Sequence, residues 1–133
     1  MKTLLLSLLS IIILSSCSSE SVWLHDYDKA LKIAKEQNKD VYLFIGADEC
    51  RFCDRFKELT LSKDEVIQRL QEEYVLLYLS RDQHFIPKHF ATQGVPRHYF
   101  LTPSGDIIHE DQGSREVDGF FSILDEVDLK KED

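Results

Sequence analysis

Cysteine is scarce in this chain: its 133 residues contain three. Three thiols cannot make the several bridges that staple small, core-poor secreted domains. Cationic stretches are missing too. Sixteen Lys plus Arg stand against 24 Asp plus Glu, a formal net charge of −8, and no basic run or basic face emerges. That argues against nucleic-acid binding and against adsorption to membranes through a polybasic patch. The acids are scattered along the chain and read as a solvated surface. There is no internal repeat and no low-complexity tract, and the length suits one domain with a genuine core.

Long apolar runs are absent except at the start. Lys2 gives a short positive region, and Leu4 to Leu14 form an apolar stretch too short for a spanning helix but right for a secretory signal. It ends Leu14-Ser15-Ser16-Cys17, which resembles the lipobox of bacterial lipoproteins, where cleavage precedes an acylated cysteine. The expected organisation is a lipoprotein signal peptide over 1–16, a lipidated Cys17 with a polar leash over 17–22, and a folded domain over 23–133. With Cys17 taken by lipid, the remaining thiols are one pair, Cys50-Arg51-Phe52-Cys53. A loop that short contributes little as a staple, so the pair is better explained by reactivity.

Periodicity supplies the frame. Tyr27, Ala30, Leu31 and Ala34 share a helical face over 26–38, with Asp26 as N-cap. Val41 to Ile45 reads as a buried strand. Phe52, Phe56 and Leu59 recur at helical spacing and place the cysteines at the start of a helix running to about Leu61. Ser62-Lys63-Asp64-Glu65 has capping-box spacing before Val66, Ile67 and Leu70. Tyr74 to Leu79 is a near-continuous apolar strand, covered on both faces. A short helix is expected from Pro87 to Thr92. A strand from Arg97 to Thr102, a turn at 103–106 and a strand from Ile107 to Glu110 form a hairpin. A terminal helix carries Val117, Phe120, Phe121, Leu124 and Val127, with Ser114 as N-cap and Lys130 to Asp133 frayed. The fold class is α/β: a mixed sheet of about four strands, the first two parallel and the last two antiparallel, with helices on both faces.

A C-x-x-C pair where a buried strand feeds a helix is the arrangement expected of thiol–disulfide chemistry. Unpaired N–H groups and the helix dipole favour the thiolate, which is the nucleophile. With Cys50 and Cys53 so placed and Gly94-Val95-Pro96 before the next strand, the chain resembles the thioredoxin superfamily over about residues 23 to 129. Trp23, the helix with Ala30 and Ala34, and the run from Lys39 to Cys50 look most like periplasmic thioredoxin-like modules. Those are similar to the C-terminal domain of disulfide-shuttling membrane reductases. The resemblance implies that Cys50 attacks and Cys53 resolves. It further implies that Pro96 is a cis-proline facing the disulfide and that the backbone of Val95 pairs with an extended substrate.

This sequence departs from the family around the site. Glu49 stands where many relatives carry Trp, Phe44 where thioredoxins bury an acid, and Arg51-Phe52 where they have Gly-Pro. Arg51 and the helix start stabilise a Cys50 thiolate, while Glu49 and Asp48 oppose it. Both acids read as solvated loop residues, and the alternative is that Asp48 or Glu49 replaces the missing proton acceptor. Tyr42, Tyr78, Tyr99, Phe44 and Phe100 read as core. Of the five histidines, His25, His84, His89 and His109 read as surface or strand-edge residues and not as a metal set with the cysteines. Two residues beyond Pro96, His98 is placed to reach the edge of the site.

Two function classes follow. The first is a lipid-anchored thiol–disulfide oxidoreductase facing the periplasm of a bacterial envelope, its redox group the Cys50–Cys53 disulfide with no other cofactor. Its partners would be exported proteins with thiols or disulfides, the membrane through its lipid anchor, and a membrane or periplasmic redox partner. Reduction of clients is the preferred direction. The alternative is a binding module on the same scaffold, holding a metal through Cys50 and Cys53 or docking a partner without turnover.

Overall fold

The computed structural model describes residues 21–133; the expected signal peptide and the expected lipidation site, Cys17, lie outside the described residues. The first helix, α1 (Tyr27–Gln37), starts where Asp26 leaves the helical region at φ −133° and accepts the Lys29 N–H at 2.9 Å. It ends at Asn38, which takes the left-handed conformation (φ 52°) that asparagine tolerates. Asp26→Ala is expected to lower stability by about 1 kcal/mol through loss of that cap, read as a shift in the urea midpoint with an unchanged slope.

Strand β1 (Asp40–Gly46) follows, then α2 (Arg51–Phe56), which runs on through a wider π-helical turn at Lys57–Leu61. Next come α3 (Asp64–Glu73), β2 (Tyr74–Ser80), β3 (Arg97–Leu101), β4 (Ile107–Gln112) and α4 (Val117–Glu132). The sheet order is β2-β1-β3-β4. β1 runs parallel to β2 and antiparallel to β3, and β3 is antiparallel to β4. Leu24 extends this sheet past β2, exchanging backbone hydrogen bonds of 2.9 Å with Leu76 and Tyr78. No described helix is long and apolar enough to cross a membrane.

Strand alternation divides the core in two. Tyr42 and Phe44 of β1 face α2, α3 and α4 together with Phe56, Leu70, Phe100 and Phe120. Val41, Leu43 and Ile45 face the other way, against Ala30 and Ala34 of α1 and against Phe90. β1 is therefore covered on both faces, as its unbroken apolar run requires.

Four local expectations are corrected. The segment from Pro87 to Thr92 is not a helix. It makes a turn in which Phe90 N–H donates to Pro87 O at 3.1 Å, and Phe90 is buried against the α1 side of the sheet. Ser62 is not an N-cap, because it is still helical (φ −75°, ψ −11°) and its hydroxyl bonds back to the Glu58 carbonyl; the extended Lys63 begins α3. α4 starts after Glu116 rather than Ser114, since Arg115 is still fastened to Asp111 by bonds of 2.9 and 2.8 Å. It also persists to Glu132, where Lys131 pairs with Asp40 at 3.1 Å, so the tail is helical.

Candidate functional site

β1 ends at Gly46, and the chain turns through Ala47-Asp48-Glu49 to Cys50. A side chain at Gly46 would meet the Tyr78 ring at 2.9 Å, so the turn needs glycine for close approach. Cys50 is the N-cap of α2, extended at φ −142°, and its Sγ accepts the Cys53 N–H at 3.1 Å. Cys50 and Cys53 form a disulfide with Cα atoms 5.2 Å apart. The two cysteines are not equivalent: Cys50 keeps 9% of its residue surface, whereas Cys53 keeps none.

The buried stripe of this helix is Cys53, Phe56 and Thr60. This corrects the sequence reading, in which Phe52, Phe56 and Leu59 marked the inner face. Phe52 is 54% exposed and Leu59 is exposed as well. The small, apolar Cys53 serves as the first inward position, one residue beyond the phenylalanine that seemed to fill it. Phe52 instead stands on the outside, with the Arg51 guanidinium 5.6 Å from its ring.

Around the pair, the acids take different places. Asp48 is bound into the loop: its Oδ1 accepts from Ser80 Oγ at 2.9 Å and Gln83 Nε2 at 2.6 Å, and its N–H donates to Asp82 at 2.8 Å. Glu49 is exposed beside Cys50. Phe44 lies in the aromatic core at ring distances of 5.4 Å from Phe56 and 5.1 Å from Tyr78. Lys57, one helical turn beyond Cys53, spreads over that pair, its Nζ 4.4 Å from the Tyr78 ring and 3.3 Å from its hydroxyl. The sequence reading missed this cation; its i+4 spacing from Cys53 was the available signal.

The Val95–Pro96 peptide bond is cis, and Pro96 is buried. Val95 and Pro96 line a groove of about 550 Å³ with Phe52 and Arg55 of the cysteine helix and with Gln112, Gly113 and Glu116 across from them. Gln112 Nε2 donates to Gly94 O at 2.8 Å, and Gly113 N–H donates to Pro96 O at 2.8 Å. Neither residue was found by sequence reasoning, although a glycine closing a strand was visible. Gly113 has φ 99°, where other residues are strained.

His98 is fully buried and does not reach the site's edge. It lies beneath the site among Phe44, Phe56 and Phe120. Burial pushes its pKa down to about 4, against the opposing pull of the Gly113 carbonyl and the Asp111 carboxylate. Burial also raises the Tyr42 hydroxyl well above its ordinary range. The other histidines lie apart from the cysteines: His25 stacks on His84 at 5.1 Å, His89 is exposed, and His109 contacts Lys130. Among the described residues no three His, Cys, Asp or Glu side chains are grouped to hold a metal ion.

Comparison with known proteins agrees with this geometry. A family model described as thioredoxin-like matches residues 22–103. The human (Homo sapiens) anterior gradient protein 2 homolog is 34% identical over 86 residues, covering 62% of this chain and 47% of that protein. The chain spans about half the length of the curated relatives it matches. A thioredoxin from Thermus thermophilus superposes with a TM-score of 0.66 at 24% identity, over 81% of this chain and 87% of that one. The oxidised C-terminal domain of DsbD from Neisseria meningitidis gives 0.61 at 20% identity, over 74% and 90%. Both structures share the fold.

Proposed function

The chain belongs to the thioredoxin-like family, and from that premise we propose that it is a lipid-anchored thiol–disulfide oxidoreductase of the bacterial envelope that reduces exported proteins. One observation carries the reading: a disulfide whose more exposed residue, Cys50, caps a helix and whose partner is fully buried, next to a groove between the helix and Val95–Pro96. Lipid attachment at Cys17 and the periplasmic setting rest on the N-terminal sequence.

In the reducing direction the Cys50 thiolate attacks one sulfur of a client disulfide and expels the other as a thiolate. The mixed disulfide is then attacked by Cys53 at the Cys50 sulfur, releasing the second client thiol. Two electrons pass to the client and leave the Cys50–Cys53 disulfide, which a dithiol partner at the membrane must reduce again. The N–H groups at the start of α2 and the Arg51 guanidinium stabilise the Cys50 thiolate, while Glu49 and Asp48 temper it. Val95 offers its backbone to an extended client segment. Clients are taken in the groove, and no further cofactor is required.

Trapping tests this directly. Cys53→Ser is expected to accumulate mixed disulfides with client proteins, visible as bands lost on reduction, and Cys50→Ser to accumulate none. A wild type that binds a metal ion stoichiometrically, with no trapping by either variant, would instead establish the binding-module reading. The potential of the couple fixes direction: a value near about −270 mV supports a reductant, and one near about −120 mV overturns it.

A further inference from the structure

A histidine is out of place where His98 sits. Its ring stacks on Tyr42 and Phe44, meets Phe56 edge-on and lies tilted against Phe120, surroundings that an apolar side chain would fill without desolvating two nitrogens. Both nitrogens are matched. Nε2 lies 2.7 Å from Gly113 O, and a carbonyl only accepts, so Nε2 carries the hydrogen. Nδ1 of the neutral ring is then an acceptor, taking the Tyr42 hydroxyl hydrogen at 2.7 Å. The chain of bonds does not stop at Gly113. The same residue donates its N–H to Pro96 O at 2.8 Å, and its neighbour Gln112 holds Gly94 O at 2.8 Å. A line of hydrogen bonds thus runs from β1 through His98 to the end of β4, and from there to the loop that walls the groove.

We propose that His98 is a positioning residue for protein substrates: it holds Gly113 against the core, and through Gly113 it fixes Pro96 and the Val95 backbone that a client segment pairs with. The inference rests on the reading of the groove as the client site. Its physical basis is that Gly113, at φ 99° and without a side chain to anchor it, is tied to its surroundings by two hydrogen bonds, its carbonyl accepting from His98 and its N–H donating to Pro96 O. Removing the His98 donor takes from the half-buried Gly113 carbonyl its side-chain partner and frees the glycine to turn, and the Pro96 carbonyl loses its fixed partner. No bond of this line involves Cys50 or Cys53.

The test separates groove from chemistry. Reduced protein is reacted in single turnover with a disulfide peptide extended on both sides of its cysteine, and with glutathione disulfide, which is too short to fill the groove. His98→Leu is expected to lower the second-order rate constant for the peptide about tenfold while leaving glutathione disulfide within about twofold. His98→Gln, whose amide can donate to Gly113 and accept from Tyr42, should restore the peptide rate to within about threefold of wild type. Equal losses on both substrates, or no loss on the peptide, overturn the proposal. Wild type inert to both disulfides would sink the oxidoreductase reading itself, and this inference with it. A measurement on wild type guards against a leucine variant that fails to fold. The imidazole ¹⁵N shifts should report hydrogen on Nε2 of His98, and hydrogen on Nδ1 instead would overturn the proposal.

Discussion

Phe56→Ala is expected to lower stability by about 3–5 kcal/mol, a large share of the roughly 5–15 kcal/mol that holds a domain of this kind together. Phe56 is fully buried, and its ring meets Phe44 at 5.4 Å, His98 at 4.8 Å and Phe120 at 5.2 Å. It thus joins the cysteine helix to β1, β3 and α4 at once. Truncation removes the transfer free energy of the ring, leaves a cavity walled by rigid aromatics that collapse poorly, and forfeits three edge-on ring contacts. The measurement is urea unfolding of the oxidised protein. Phe52→Ala, four residues earlier and 54% exposed, is the control and should fall within about 0.5 kcal/mol of wild type. A loss under about 1 kcal/mol at Phe56 would mean that the helix is not anchored where the structure anchors it.

Acid should destabilise the protein through His98. The side chain titrates near 6.5 in an unfolded chain and is pushed down to about 4 by burial in the folded one. Between those values the unfolded chain binds a proton that the folded chain refuses, so stability falls as pH falls. The contribution is whole above pH 6.5 and lost below about 4, and the difference corresponds to about 3 kcal/mol. Glu73 works in the opposite sense: burial and the nearby Asp128 hold its carboxyl above the usual range, against Arg69 and Lys131. The test therefore compares slopes of unfolding free energy against pH for wild type and His98→Leu. The variant is expected to be weaker at pH 7 but flatter between pH 6.5 and 4. Parallel slopes would remove His98 as the cause.

Much of this architecture was legible because it is local. Val41 to Ile45 and Tyr74 to Leu79 announce strands covered on both faces, and the sheet places them side by side in parallel. The cysteine pair declares itself by what flanks it, and Ala30 and Ala34 mark the inner face of α1. Reading failed where a residue's partner is distant in the chain. Nothing near His98 in sequence reveals that Gly113 and Tyr42 will share its two nitrogens. Pro87 to Thr92 has the composition of a short helix, yet burying Phe90 on the α1 face suits a turn better. Ser62 shows the limit of motif spacing: a capping box needs an extended backbone at its first residue, and Ser62 is still inside the previous helix. Phe52 misled for a related reason, since its spacing matches Phe56 while the helix's first turn projects it past the rim of the core.

The two margins of the sheet are finished differently. Leu24 caps β2, but among the described residues β4 is the last strand of its side. A bare strand margin is the place where copies of a protein can stack into aggregates. Here it carries His109, Glu110 and Asp111 in succession, with a bulge where Phe100 gives way to Leu101 on the partner strand. Stacking one copy on another there would bring Glu110 and its copy onto the same margin in a chain already at −8. The strand that ends in the Gln112–Gly113 clamp thereby also carries two features, charge and a bulge, that disfavour addition of a neighbouring molecule to the sheet.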